Sequence, residues 1–138
     1  MRPLLLAGIA VLLAACTGAA SSTDPSVHFR LTNAGTEPMQ CKIIFGHWVD
    51  RDLGLLAPGG TTAFAAQQQR DGALYIERDD GQRRMMIENI FCARPNDWQA
   101  SVGQVDLATV RAARPAAVDV SCILQSGGHV ACRKPAVL

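Results

Sequence analysis

The run Ala117-Val118-Asp119-Val120-Ser121-Cys122-Ile123-Leu124-Gln125, followed by Ser126-Gly127-Gly128 and then His129-Val130-Ala131-Cys132-Arg133, decides how the chain is read. Two β-prone segments flank a short polar stretch with two glycines, which predicts a hairpin. A three-residue loop with glycine available for its left-handed position sets Gln125 opposite His129. Cys122 then falls opposite Cys132, and opposed cysteines in a non-hydrogen-bonded pair lie close enough to bridge.

Upstream, the same grammar repeats. Val27, Phe29 and Leu31 alternate with His28, Arg30 and Thr32, the period of a strand with one buried face. Asn33 to Pro38 supplies turn chemistry, and Cys41, Ile43 and Phe45 then form a second inward row. The two strands are expected to pair as a hairpin or across a sandwich. Leu53 to Ala57 is a short apolar run ended by Pro58-Gly59-Gly60, and Thr62, Phe64 and Ala66 share a face within Thr61 to Gln67. Ala73 to Arg78 and Gln82 to Phe91 flank Asp79-Asp80-Gly81, a strong hairpin signal.

The second strand of that hairpin is in conflict with itself. If Cys92 points inward, strict alternation sends Ile90, Glu88 and Met86 inward and Phe91, Ile87 and Met85 outward. A bulge near Asn89 would shift the phase and resolve this. After the loop Ala93 to Asp97, Trp98 to Val105 reads as a further strand. Asp106 is placed to cap a short helical turn through Arg111, which Pro115 ends. The count is about eight short strands with no long helix. Such a chain is expected to be all-β, a small antiparallel sandwich or barrel.

The N-terminus is of another kind. Arg2 precedes an apolar run from Leu4 to Leu13, and Ala14-Ala15 leads into Cys16. Ten residues in a helix span roughly 15 Å, about half of a bilayer's hydrocarbon core, so the run reads as a targeting segment. It resembles the signal peptide and lipobox of bacterial lipoproteins, over residues 1–16 alone. The resemblance implies removal of residues 1–15 and acylation of Cys16 as the new N-terminus, with anchoring in the lipid bilayer. Two acyl chains suffice for stable attachment where one is marginal. Thr17 to Ser26 is small and polar, a tether reaching at most about 35 Å. It leaves residues 27–138 as one periplasmic domain. Position 17 is threonine, not the aspartate that retains enteric lipoproteins in the inner membrane, so the resemblance favours the outer membrane.

Loss of residues 1–15 would leave 123 of the 138 residues, one ordinary domain, with 12 basic and 12 acidic side chains. A balanced charge argues against nucleic acid as a partner, because phosphate binding needs clustered cations. Besides Cys16, four cysteines remain: Cys41, Cys92, Cys122 and Cys132. In an oxidising compartment these are expected as two disulfides. Of three possible connectivities, the hairpin register favours Cys122 with Cys132, which leaves Cys41 with Cys92. No Cys-x-x-Cys spacing supports a zinc site in their place.

Catalytic chemistry is thin. His47-Trp48-Val49-Asp50-Arg51-Asp52 gathers a histidine, two aspartates, an arginine and a tryptophan, but in no ligand spacing with a mechanism. It is expected to be a strand end running into a polar turn. His28 and His129 read as solvent-facing. No hydrolase motif appears, so no catalytic residue, metal or cofactor is expected. Trp48 and Trp98 are the candidate binding anchors, since tryptophan is enriched at binding hot spots, although burial in the core is commoner for either. The mixed charges Asp79-Asp80 and Arg83-Arg84 are expected to be a solvated turn.

The functional expectation is a non-catalytic binding or envelope-assembly module that contacts an envelope protein or the cell wall. The alternative is a periplasmic inhibitor of a protease or lysozyme, and a metal-dependent or hydrolytic enzyme stands third. An exposed apolar patch would favour the first, a protruding rigid loop the second, and converging titratable groups in a cleft the third.

Overall fold

A computed structural model describes residues 24–46, 49–77 and 84–134. The chain runs through β1 (Ser26–Asn33), β2 (Met39–Phe45), β3 (Asp50–Leu56), β4 (Thr61–Gln68), β5 (Leu74–Glu77) and β6 (Arg84–Ala93). It continues through α1 (Trp98–Ser101), β7 (Gly103–Gln104), α2 (Leu107–Ala113), β8 (Ala117–Leu124) and β9 (Val130–Arg133). The fold is therefore mostly β, as expected from the turn-marked short strands. Cys16, the signal segment and most of the tether lie outside the described residues.

Hydrogen-bonded neighbours follow the order β3-β2-β6-β5-β4-β1-β8-β9, with β7 added on β6. The path has two ends and does not close. One correction concerns direction: β1 and β8 pair parallel, Phe29 beside Val118 and Leu31 beside Val120, so the sheet is mixed, not antiparallel throughout. A second concerns β1 and β2, which are no hairpin. β1 lies between β4 and β8, whereas β2 lies between β3 and β6. The Asn33 turn separates them: its buried side chain donates to Glu37 O at 2.8 Å and Leu56 O at 2.9 Å and accepts from Gly35 N at 3.0 Å.

The alternation in β1 and β2 holds residue by residue. Val27, Phe29, Leu31, Cys41, Ile43 and Phe45 are all buried. In β4, Phe64 stacks on Phe29 with ring centroids 4.9 Å apart. In β6 the expected bulge is present: Ile44 sits opposite Asn89 and Phe45 opposite Ile87, so Glu88 is the extra residue. The phase shift buries Ile87 as well as Ile90 and Cys92. Before the bulge β6 pairs with β5, Tyr75 opposite Met86; beyond it, β6 pairs with β2 on one side and β7 on the other.

The segment Trp98 to Val105 is not the continuous strand expected. Ser101 explains the difference. Its Oγ donates to Asp97 O at 2.6 Å and accepts from Arg94 N at 2.8 Å, while Ser101 N also donates to Asp97 O. Residues 98–101 thereby close into one helical turn, leaving two residues for β7. The Asp106 cap forms as expected, accepting from Thr109 N at 3.1 Å, and the helix runs two residues further than Arg111. Arg111 ties α2 to β6 by donating to Ile87 O at 2.8 Å.

Candidate binding surface

The six-residue polar run resolves only in part, because His47 and Trp48 lie outside the described residues. Asp50 and Asp52 do not form the expected polar turn; they open β3 and are occupied by their neighbours on β2. Lys42 Nζ donates to Asp50 at 3.0 Å, Gln40 Nε2 donates to Asp52 at 2.7 Å, and Arg51 lies over the Phe45 ring. Their positions follow from antiparallel pairing, which sets Lys42 opposite Asp52 and Ile44 opposite Asp50. Lys42 Nζ also sits 5.2 Å from the centre of the Trp98 ring, in cation–π range. Trp98 is half-buried, neither a core residue nor an open anchor.

His28 and His129 are exposed, as expected. Of the mixed-charge hairpin tip, Asp79, Asp80 and Arg83 lie outside the described residues. Arg84 donates to Asp24 at 2.7 Å and to the Gln67 side chain, so it pins the start of the domain, two residues before β1, to β4 and β6.

Four large apolar side chains among the described residues are exposed: Val49 of the polar run, Met86 in β6, Leu55 and Ile123. Leu55 is 63 % exposed and Ile123 45 %. Leu55 is turned out by a local device. Pairing shifts between Gln40 and Lys42, and Gly54 takes φ +93° with its N–H donating to Asp52 Oδ1 at 2.8 Å. A glycine with positive φ marks a β-bulge of this kind. The bulge reverses the alternation, so Leu56 is buried where period two from Leu53 would have buried Leu55. Gly54 is the sequence signal for it. Ile123 faces out by simple alternation with buried Val118, Val120 and Cys122.

These two side chains border adjoining hollows. One, of about 600 Å³, is lined by Leu55, Pro38 and Pro95; the other, of about 450 Å³, by Ile123, Gly35 and Ser126; Glu37 and Arg94 line both. The Arg94 guanidinium is held by Asp97 at 2.6 Å. The result is two apolar points with a carboxylate and a guanidinium between them.

The four cysteines among the described residues are paired, Cys41 with Cys92 and Cys122 with Cys132. Each bridge spans a directly opposed strand pair, with Cα atoms 4.1 and 4.0 Å apart. The loop-length argument for Cys122 and Cys132 is met by Gln125 N donating to His129 O at 2.9 Å. The sulfurs of Cys92, Cys122 and Cys132 all lie within 4.8 Å of one another. That closeness belongs to bridged sulfurs, whose lone thiolates are consumed in the bonds.

Among known proteins, no family model, no curated protein and no solved structure matches this chain.

Proposed function

We propose that this protein is a periplasm-facing lipoprotein, anchored through acylated Cys16 in the outer membrane, whose domain is a non-catalytic binding or envelope-assembly module. The observation that carries the binding part is the pair Leu55 and Ile123, left exposed on either side of Glu37 and Arg94. Burying what each still exposes contributes roughly 1 to 2 kcal/mol at Leu55 and about 1 kcal/mol at Ile123. The anchoring part rests on the residues from Arg2 to Cys16. We also infer that the sheet folds over as a two-layered sandwich, because one apolar cluster takes residues from β3 at one end of the strand path and β9 at the other. The partner is an envelope protein presenting an apolar contact flanked by both charges.

The test is crosslinking of the full-length protein in intact cells, with capture from the membrane fraction and identification by mass spectrometry. One envelope protein is expected, lost in a Leu55→Asp/Ile123→Asp variant that still folds. In Cys16→Ser the protein should leave the membrane fraction. Capture of a protease or lysozyme would replace the assembly reading by the inhibitor one. Capture unaffected by the surface variant would refute the assigned contact.

A further inference from the structure

Three of the bridged cysteines, Cys41, Cys92 and Cys122, are fully buried, and Cys132 is the one that is not. Cys132 lines a cavity of about 270 Å³ between α2 and the β8–β9 hairpin. Its floor is Val105, Val110, Val118 and Val120; its rim carries the exposed cations Arg133 and Lys134, with Asp106 and Thr109 across from them. The Asp106 carboxylate is engaged by both the backbone and the hydroxyl of Thr109. Behind the bridge, Cys122 Sγ lies 3.7 Å from Cys92 Sγ, in van der Waals contact with the second disulfide.

Disulfides exchange when a thiolate attacks a sulfur it can reach, and cations beside that sulfur favour the incoming anion. We infer that Cys132 is a thiol–disulfide exchange site for anionic low-molecular-weight thiols, entered through this cavity, and that the Cys122–Cys92 contact passes the exchange inward. In the first step the incoming thiolate forms a bond to Cys132 Sγ, the Cys132–Cys122 bond breaks, and the electron pair leaves on Cys122. In the second, Cys122 thiolate bonds to Cys92 Sγ, the Cys92–Cys41 bond breaks, and the charge leaves on Cys41. Each step exchanges one sulfur–sulfur bond for another, so no outside oxidant or reductant is consumed beyond the entering thiol. The products are a mixed disulfide at Cys132, a Cys92–Cys122 bridge and a thiol at Cys41.

The test uses the folded protein with reduced glutathione as the probe, acid quenching, alkylation and peptide mapping. Expected are the adduct on Cys132, the alkyl label on Cys41 and a Cys92–Cys122 crosslinked peptide. An adduct on any other cysteine, or a label confined to Cys122, would overturn the inference. A second measurement avoids altering any cysteine. In Arg133→Glu/Lys134→Glu, two exposed positions, the rate with glutathione should fall about tenfold at low salt. The rate with cationic cysteamine should not fall. Equal slowing of both thiols, or no change with either, would remove the cation rim from the account.

Discussion

Cys92 Sγ and Cys122 Sγ belong to different disulfides and lie 3.7 Å apart in the core. One bridge closes a separation of 51 residues and the other of 10. By loop entropy, removing Cys41–Cys92 as a Cys→Ala pair should cost about 4 kcal/mol, and removing Cys122–Cys132 about 3 kcal/mol. Because the sulfurs touch, the two losses should not add. A quadruple variant is expected to depart from their sum by more than about 0.5 kcal/mol, the limit for independent sites. Urea unfolding of the four forms checks this.

Among the described glycines, Gly103 in β7 is the one most closely faced by another strand's backbone. A Cβ built there would stand 1.9 Å from the carbonyl oxygen of Val130 in β9. Side chains at this distance have no rotamer to escape into, since Cβ is fixed by the backbone. Gly103→Ala must therefore push β9 from β7, and should cost at least about 3 kcal/mol, the upper range for overpacking. Gly127→Ala, with open space around it, is the control and should stay within about 0.5 kcal/mol. Thermal unfolding separates the two.

What the sequence reveals of this fold depends on how local the cause is. Cys122 opposite Cys132 was legible because three loop residues set the register, and Cys41 with Cys92 followed by elimination. The Glu88 bulge was legible because strict alternation would have buried a glutamate. The parallel pairing of β1 with β8 was not, since no turn joins the two and no local pattern marks a parallel neighbour. Trp98 to Val105 was misread because the force that bends it is one hydroxyl, Ser101 Oγ, satisfying two backbone groups. Leu55 was missed as an exposed residue because the Gly54 bulge inverts its face. The cavity at Cys132 was invisible for a different reason: α2 must first pack beside β8.

Asn33 offers a sign-specific test. It is fully buried, and its amide donates to two carbonyls. In Asn33→Asp a carboxylate would face those carbonyl oxygens, and burial there, offset only by the Gly35 N–H that donates to the other oxygen, raises its pKa. The folded pKa then exceeds the unfolded one, so the penalty is greatest near neutral pH and shrinks as pH falls and the carboxyl takes up a proton. The expected cost at pH 7 is about 3 kcal/mol, the low end for a buried charge without an ionic partner, because Gly35 N–H still donates to it. Stability that failed to recover relative to wild type at pH 5 would show that shape, not charge, is what the site rejects.

Asp106 carries the opposite sign. The hydroxyl of Thr109, then its backbone N–H, hold the Asp106 carboxyl below its ordinary value of 3.8, with Lys134 adding a smaller attraction. The folded group binds its proton less readily than the unfolded one. Its contribution to stability is therefore complete above the ordinary aspartate range and is lost as pH falls through the lowered folded value. Thr109→Val keeps the side-chain shape and removes the larger of the two bonds. The carboxyl resonance of Asp106 should then titrate closer to 3.8. The stability gap between wild type and variant should be widest near neutrality and narrow in acid. A titration unchanged by the substitution would assign the cap to the backbone N–H alone, and α2 would owe its start to the peptide groups, not to the threonine.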